Sequence, residues 1–290
     1  VDASEEAGIP IEACIFLGTS PIRQYAEDWK IDFLLRRAEE SVDFAVKRGL
    51  PVMFVTEDTT RANPATLRQV YTAAIRAGAR RICAADTVGH ATPGGVRALI
   101  ASLRQMVDEI DPNVGIDWHG HKDRGLDIIN SLAAIEAGAD RVHACGLGIG
   151  ERSGNTPMEL LLVNLNLFGW ADRKLIRLAE YCEVISAKCG VPIPFNYPIV
   201  GADSFRTATG VHAAAIVKAL SKNDEWLAER VYCGVPASLV GRELGIEIGP
   251  MAGEHNVRYY LRHRGIEENP VFVEKILAAA LRPSAFSQKS

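Results

Sequence analysis

The sequence predicts an α/β fold of parallel strands joined by helical crossovers, and three observations predict it. Short apolar runs, bounded by glycine, proline or polar residues, alternate with longer stretches whose apolar residues recur at helical spacing. The alternation repeats in units of about 25–35 residues, room for a strand, a crossover helix and two loops. Histidines, acidic residues and glycine clusters sit just past the ends of the apolar runs, where a parallel sheet or barrel places its chemistry. A barrel and a doubly wound sheet both fit these observations.

Taken in order, residues 12–18 (EACIFLG) read as a buried strand. A helix is expected over about 28–48, where Ile31, Phe33, Leu34, Leu35, Ala38, Val42 and Ala45 keep near-helical spacing and Gly49 stops it. Residues 51–56 are the second strand, 65–77 the next helix, ended by Gly78, and 81–85 the third strand. Pro93 opens a helix running to about 107. Residues 114–118 form the fourth strand, 125–137 a helix and 141–146 the fifth strand, with helices over 156–168 and 173–188 after it. Three prolines in VPIPFNYPIVG (191–201) forbid regular helix and suggest an extended linker. Beyond it, segments at 203–220, 223–230, 236–242, 253–264 and 269–281 are short and mainly helical. The expected organisation is a catalytic βα domain over 1–190, a linker over 191–201 and a helical accessory or lid subdomain over 202–290. The tail PSAFSQKS is expected to be loose.

The 290 residues, 48% of them hydrophobic, suffice for one large domain with an appendage. A net charge of −4 gives no polyanion-binding surface and argues against a nucleic-acid partner. Basic pairs such as Arg80-Arg81 read as solvated helix ends. The six cysteines show no CxxC and no secreted spacing, which suits reduced thiols in a cytosol. No apolar run approaches the ~18 residues needed to span a membrane, and no signal peptide is visible.

The chemistry concentrates between Val114 and Asn155. Residues i and i+2 of a strand face the same side, so His119 and His121 can grip one metal ion, and Asn155 can add an oxygen from the next loop. Two hydrogen-bonded imidazoles at a polar strand end are the other reading. Asp123, and the close approach that Gly146, Gly148 and Gly150 permit, favour a divalent ion. Glu57, Asp58 and Arg61 follow the second strand, either as site residues or as a helix cap with salt bridges.

Together these motifs resemble the metal-dependent acyl-CoA condensing enzymes and lyases of the α-isopropylmalate synthase and homocitrate synthase type. The likeness rests on Glu57-Asp58-x-x-Arg61, Asp86-Thr87-Val88-Gly89, His119-x-His121-x-Asp123-x-Gly125 and Gly148-x-Gly150-Glu151-Arg152-Ser153-Gly154-Asn155. It continues with Phe205-x-x-x-x-Gly210-Val211-His212, Gly241-Arg242 and Ala252-Gly253. The resemblance implies a TIM (β/α)8-type barrel with a mainly helical C-terminal subdomain. It implies His119, His121 and Asn155 as ligands of Zn²⁺, Mn²⁺ or Mg²⁺, and His212, Glu151 and Tyr232 as catalytic residues. Arg152, Thr87, Glu57 and Arg61 would bind substrate, and the partners would be acetyl-CoA, a 2-oxoacid and a second copy of the chain. Three departures stand out: Lys122 where the family has asparagine, Cys145 where it has threonine or serine, and no Asp-Arg-Asp/Glu-Gly strand before Glu12. The first strand here resembles the family's fourth, so the barrel is expected to lack its first three strands.

The implied reaction is a Claisen-type condensation of acetyl-CoA with a 2-oxoacid, 2-oxoisovalerate by default. His212 is the acid–base candidate, because imidazole titrates near neutral pH; packing within a helix is its other reading. The alternatives are a lyase cleaving a 3-hydroxy-3-methylglutaryl-CoA-like thioester and a non-catalytic barrel fragment acting as an assembly subunit. The lyases carry a cysteine in the glycine loop, which GIGERSGN lacks.

Overall fold

A computed structural model describes residues 2–9 and 11–280; the tail expected to be loose lies outside them. The chain divides into two compact units, Val1–Leu161 and Leu162–Ser290, so the boundary expected at residue 190 falls inside the second.

The first unit opens with α1 (Asp2–Ala7) and β1 (Ala13–Gly18), followed by α2 (Pro21–Ala26) and α3 (Ile31–Val46). Then come β2 (Val52–Glu57), α4 (Pro64–Arg76), β3 (Arg81–Asp86), α5 (Pro93–Ile110), β4 (Gly115–Gly120), α6 (Asp127–Glu136), β5 (Arg141–His143) and the start of α7 (Met158–Leu167). Helices α2, α4 and α5 share one start signal, a polar cap before proline. Ser20, Asn63 and Thr92 each accept a backbone N–H of the first turn, and the proline has no N–H to leave unpaired.

The five strands pair in parallel in the order β1-β2-β3-β4-β5. Strand pleating then sorts the side chains onto two faces. Val52, Phe54, Ile82, Ala84, Ile116 and Trp118 share one face and pack with Leu34, Val42, Val70, Ile100 and Ala133 of α3 to α6 in a single core. Burying each large side chain contributes about 1.5–3 kcal/mol. Thr56 lies on this apolar face because its hydroxyl is used: it meets Tyr71 Oη at 2.5 Å and Thr59 Oγ1 at 2.6 Å. The Tyr71 phenol donates on to the Cys83 carbonyl, and burial pushes its pKa up.

The other face carries Cys14, Phe16, Arg81, Cys83, Asp117, His119, Arg141 and His143, and none of these joins that core. A doubly wound sheet carries helices on both faces; packing on one face is the arrangement of a barrel wall.

Two local expectations need correction. Arg81 is not a solvated helix end: its Nε donates to Asp117 Oδ1 at 2.6 Å from within β3. The fifth strand stops at His143 rather than Gly146, because the chain changes partner, Cys145 N donating to the Thr156 carbonyl at 3.0 Å.

In the second unit, α8 (Leu178–Cys189) precedes 191–201, which carries no helix or strand and closes into turns, Tyr197 N to Pro194 O and Gly201 N to Tyr197 O. Strands β6 (Arg206–Thr207) and β7 (Gly245–Ile246) make a two-stranded parallel pair. Helices α9 (Gly210–Leu220), α10 (Glu225–Ala228), α11 (Glu254–His263) and α12 (Pro270–Ala280) surround small apolar clusters on Ile216 and Leu261. Asn256, fully buried, ties them together: its amide donates to the Ala208 and Glu247 carbonyls, and its oxygen accepts from Gly253 N. Among the described residues no helix is long and apolar enough to cross a membrane, and all six cysteines are free.

Candidate metal centre

β4 brings Asp117 and His119 to the open face, and the chain beyond its end keeps an extended course. His121 makes an antiparallel bridge with Asn155. Around it, Lys122 N donates to Gly154 O at 3.0 Å and Asn155 N donates to Gly148 O at 2.9 Å. Backbone hydrogen bonds therefore set the spacing of His121 and Asn155. The loop closes tightly enough to require glycine at two points. Gly154 has φ +106°, and a Cβ there would strike the Gly148 carbonyl oxygen. A Cβ on Gly150 would stand 2.7 Å from Asn155 Oδ1.

His119 Nε2 and His121 Nε2 lie 3.3 Å apart with their rings nearly edge to face. Two nitrogens bound to one ion at about 2.1 Å, at a near-tetrahedral angle, stand about 3.3 Å apart. His121 Nδ1 and Asn155 Oδ1 are buried without a hydrogen-bond partner. Leaving such groups unpaired costs about 1–3 kcal/mol each, which a cation at the oxygen would offset. Burial, then the neighbouring His143 and His121, pushes the His119 pKa down to about 4. Burial, then Arg152, lowers that of His121. Both rings are thus neutral at pH 7, the form that binds metal. Two imidazoles and an amide oxygen fit a divalent ion of the zinc or manganese kind. Among the described residues no group of three or more His, Cys, Asp or Glu side chains converges on such a point.

Four residues at this site escaped sequence reasoning. His143 is the cross-strand partner of His119, with Nδ1 to Nδ1 at 3.3 Å, and its Nε2 lies 2.9 Å from Asp117 Oδ2. Asp117 has no exposed side-chain surface and accepts from Arg81 Nε and Arg141 Nε, both at 2.6 Å. Burial pushes its carboxyl up, but hydrogen bonds from His143, Arg81 and Arg141 outweigh it and hold the pKa below the usual value. Arg141 also reaches Glu12. One signal was available: a lone aspartate in the apolar run Ile116-Asp117-Trp118, where an unpaired charge is costly.

The remaining sequence candidates fall in three places. Arg152, at φ +55°, donates to both oxygens of Asp123 and to the Thr87 carbonyl, while Glu151, mostly exposed, lies 3.4 Å from it. Thr87 Oγ1 accepts Asp58 N at 2.7 Å, joining the β2 and β3 ends. Arg61 is held by Asp58 through two bonds of 2.7 Å, and Glu57 faces Arg23 at 3.7 Å, so this end of β2 is bound up in ion pairs. Asp86 turns to the helix side and holds the backbone of His90 and Ala91. In the second unit His212 stacks on Tyr232, ring centroids 3.9 Å apart.

The chain is similar to a probable 2-isopropylmalate synthase of Methanopyrus kandleri, 33% identical over 280 residues, covering 96% of this chain and 53% of that protein. It is similar to homocitrate synthase AksA of the same organism, 34% identical over 246 residues, 84% of this chain and 58% of that one. It thus spans about half the length of the curated relatives it matches. In fold it is similar to hydroxymethylglutaryl-CoA lyase from Pseudomonas aeruginosa, with a TM-score of 0.55 at 20% identity over 66% of this chain and 67% of that one. That likeness speaks for the TIM-barrel fold alone. Residues 1–185 match the HMGL-like family model, and with the sequence relatives this shows that the chain belongs to the HMGL-like family.

Proposed function

We propose that the chain is part of a divalent-metal-dependent acyltransferase that condenses acetyl-CoA with a 2-oxoacid. One observation carries the reading: His119 and His121 present their Nε2 atoms 3.3 Å apart beside the unpartnered oxygen of Asn155. These three residues would hold the ion, which when bound supplies Lewis-acid polarisation of the 2-oxoacid's keto group. Arg152, fixed by Asp123, would offer its charge to the substrate carboxylate at the rim, with Thr87 and Glu151 beside it. In the proposed reaction a base takes a proton from the acetyl methyl group. The resulting enolate carbon bonds to the keto carbon, whose oxygen gains a proton, and water then releases CoA as the free thiol. His212, held against Tyr232, would move protons in these steps. Residues 202–290 would form the subdomain that carries this pair.

The relatives at 33–34% identity are synthases, and the glycine loop lacks the cysteine expected of the lyases, so condensation is preferred over cleavage. The substrate is proposed as 2-oxoisovalerate, with 2-oxoglutarate the competing acid. Thiol release from acetyl-CoA, measured with Mn²⁺ and each acid in turn, tests this. Release with 2-oxoisovalerate supports the reading, whereas thiol-independent cleavage of a 3-hydroxy-3-methylglutaryl thioester would replace it. The proposed assembly is a homodimer that shares sites. Mixing His212→Ala with His119→Ala chains would restore activity if His212 serves the partner's centre.

A further inference from the structure

We propose that Asp117 and His143 form a relay that sets the tautomer of His119 and leaves its Nε2 lone pair open toward a cation. The inference rests on reading His119 and His121 as a metal-binding pair and adds two positioning residues to it.

The constraint begins at Asp117. Its side chain has no exposed surface, and it accepts from Arg81 and Arg141 while His143 Nε2 lies 2.9 Å from Oδ2. A carboxylate between two guanidiniums can only accept hydrogen bonds. The hydrogen in the His143–Asp117 contact therefore sits on His143 Nε2. A neutral imidazole carries one N–H, so His143 Nδ1 is a lone pair. That lone pair stands 3.3 Å from His119 Nδ1. Two facing lone pairs would repel, so His119 carries its hydrogen on Nδ1 and donates it to His143. His119 Nε2 then has no hydrogen, and it is this atom that lies 3.3 Å from His121 Nε2. Each placement follows from the one before it.

The backbone makes the relay possible. His119 and His143 are register partners in the β4–β5 pairing, and Asp117, two residues earlier on β4, shares their face. The arginines that fix Asp117 are themselves fixed, Arg81 within β3 and Arg141 by its second bond to Glu12. A metal-bound histidine usually gives its second N–H to a carboxylate or carbonyl. Here a second imidazole, oriented by a carboxylate, takes that place.

The test uses the metal-free chain labelled with ¹⁵N-histidine, read by two-bond ¹H–¹⁵N correlation at pH 7.5. His119 is expected with its hydrogen on Nδ1 and His143 with its hydrogen on Nε2. In His143→Leu the His119 signal should move toward the Nε2–H form, and Mn²⁺ affinity, followed by the paramagnetic resonance of free Mn²⁺, should fall about 10–100-fold. In His143→Gln the carboxamide can accept from His119 and donate to Asp117, and affinity should stay within about threefold of the parent. An Nε2–H tautomer at His119 in the parent would overturn the relay, as would a His143→Leu chain with parental tautomer and affinity. A parent that binds no Mn²⁺ yet shows His119 as Nδ1–H would sink the metal reading and leave the relay standing.

Discussion

The two faces of the five-stranded sheet are built from alternate residues of the same strands, yet they do different work. On β4, Ile116 and Trp118 are fully buried under the helices, while Asp117 and His119 between them face the open side. The apolar face holds its shape through area removed from water, which is non-directional and forgiving of detail. The polar face is held by directed hydrogen bonds among Arg81, Asp117, Arg141, His143 and His119, where one misplaced atom breaks the chain. The difference teaches that pleat parity separates what folds this unit from what gives it chemistry.

That separation can be attacked from either face. The largest loss of stability is expected from Trp118→Ala, about 3–5 kcal/mol, because no neighbour can refill a buried indole. A urea titration in the presence of chelator would read it, and a loss below about 1 kcal/mol would mean that this face does not dominate. Acidification should come next. With a folded pKa of about 4 and an unfolded one near 6.5, His119 is neutral in the native chain while the unfolded chain takes up the proton first. Stability of the metal-free protein should therefore fall as pH drops from about 6.5 to about 4, by at most ~3 kcal/mol from this group, and level off for it below. His119→Gln should flatten that slope in urea midpoints measured across the window; an unchanged slope would assign it elsewhere.

Asp117→Ala should cost less, about 1–3 kcal/mol, since Arg81 and Arg141 lose a buried acceptor but keep some contact with solvent. Mn²⁺ affinity should fall with it, and full affinity at reduced stability would confine Asp117 to the fold. The smallest change in stability is expected for His121→Ala, within about 1 kcal/mol, because the ring leaves no satisfied bond behind at Nδ1. The same variant should bind no stoichiometric divalent ion by equilibrium dialysis. One tightly held ion per chain in that variant would remove His121 from the centre.

The apolar face was the legible one. The strand and helix order could be read because apolar period is written along the chain, as in the helix through Leu34, Ala38, Val42 and Ala45. The pair His119 and His121 was legible for the same reason, a spacing of two on one strand. His143 was not, because its role depends on cross-strand register, which brings residues 24 apart in sequence to 3.3 Å. Arg81 was misread because a basic pair beside a turn looks solvated until its partner on the next strand is placed. The short helix PIRQYA went unread although Ser20 and Pro21 announced it, since six residues are too few to show a period.

The bridge between His121 and Asn155 has a consequence for how the loop breathes. The tip, Glu151 to Ser153, is exposed, but amides on either side are closed: Lys122 onto Gly154, Asn155 onto Gly148 and Cys145 onto Thr156. In deuterium exchange the same glycine-rich segment should split into two populations. The tip should label quickly, while the amides of Lys122 and Asn155 should wait for the whole bridge to open. The loop would then behave as a hinge-free buckle, mobile at its crown and slow at its clasp.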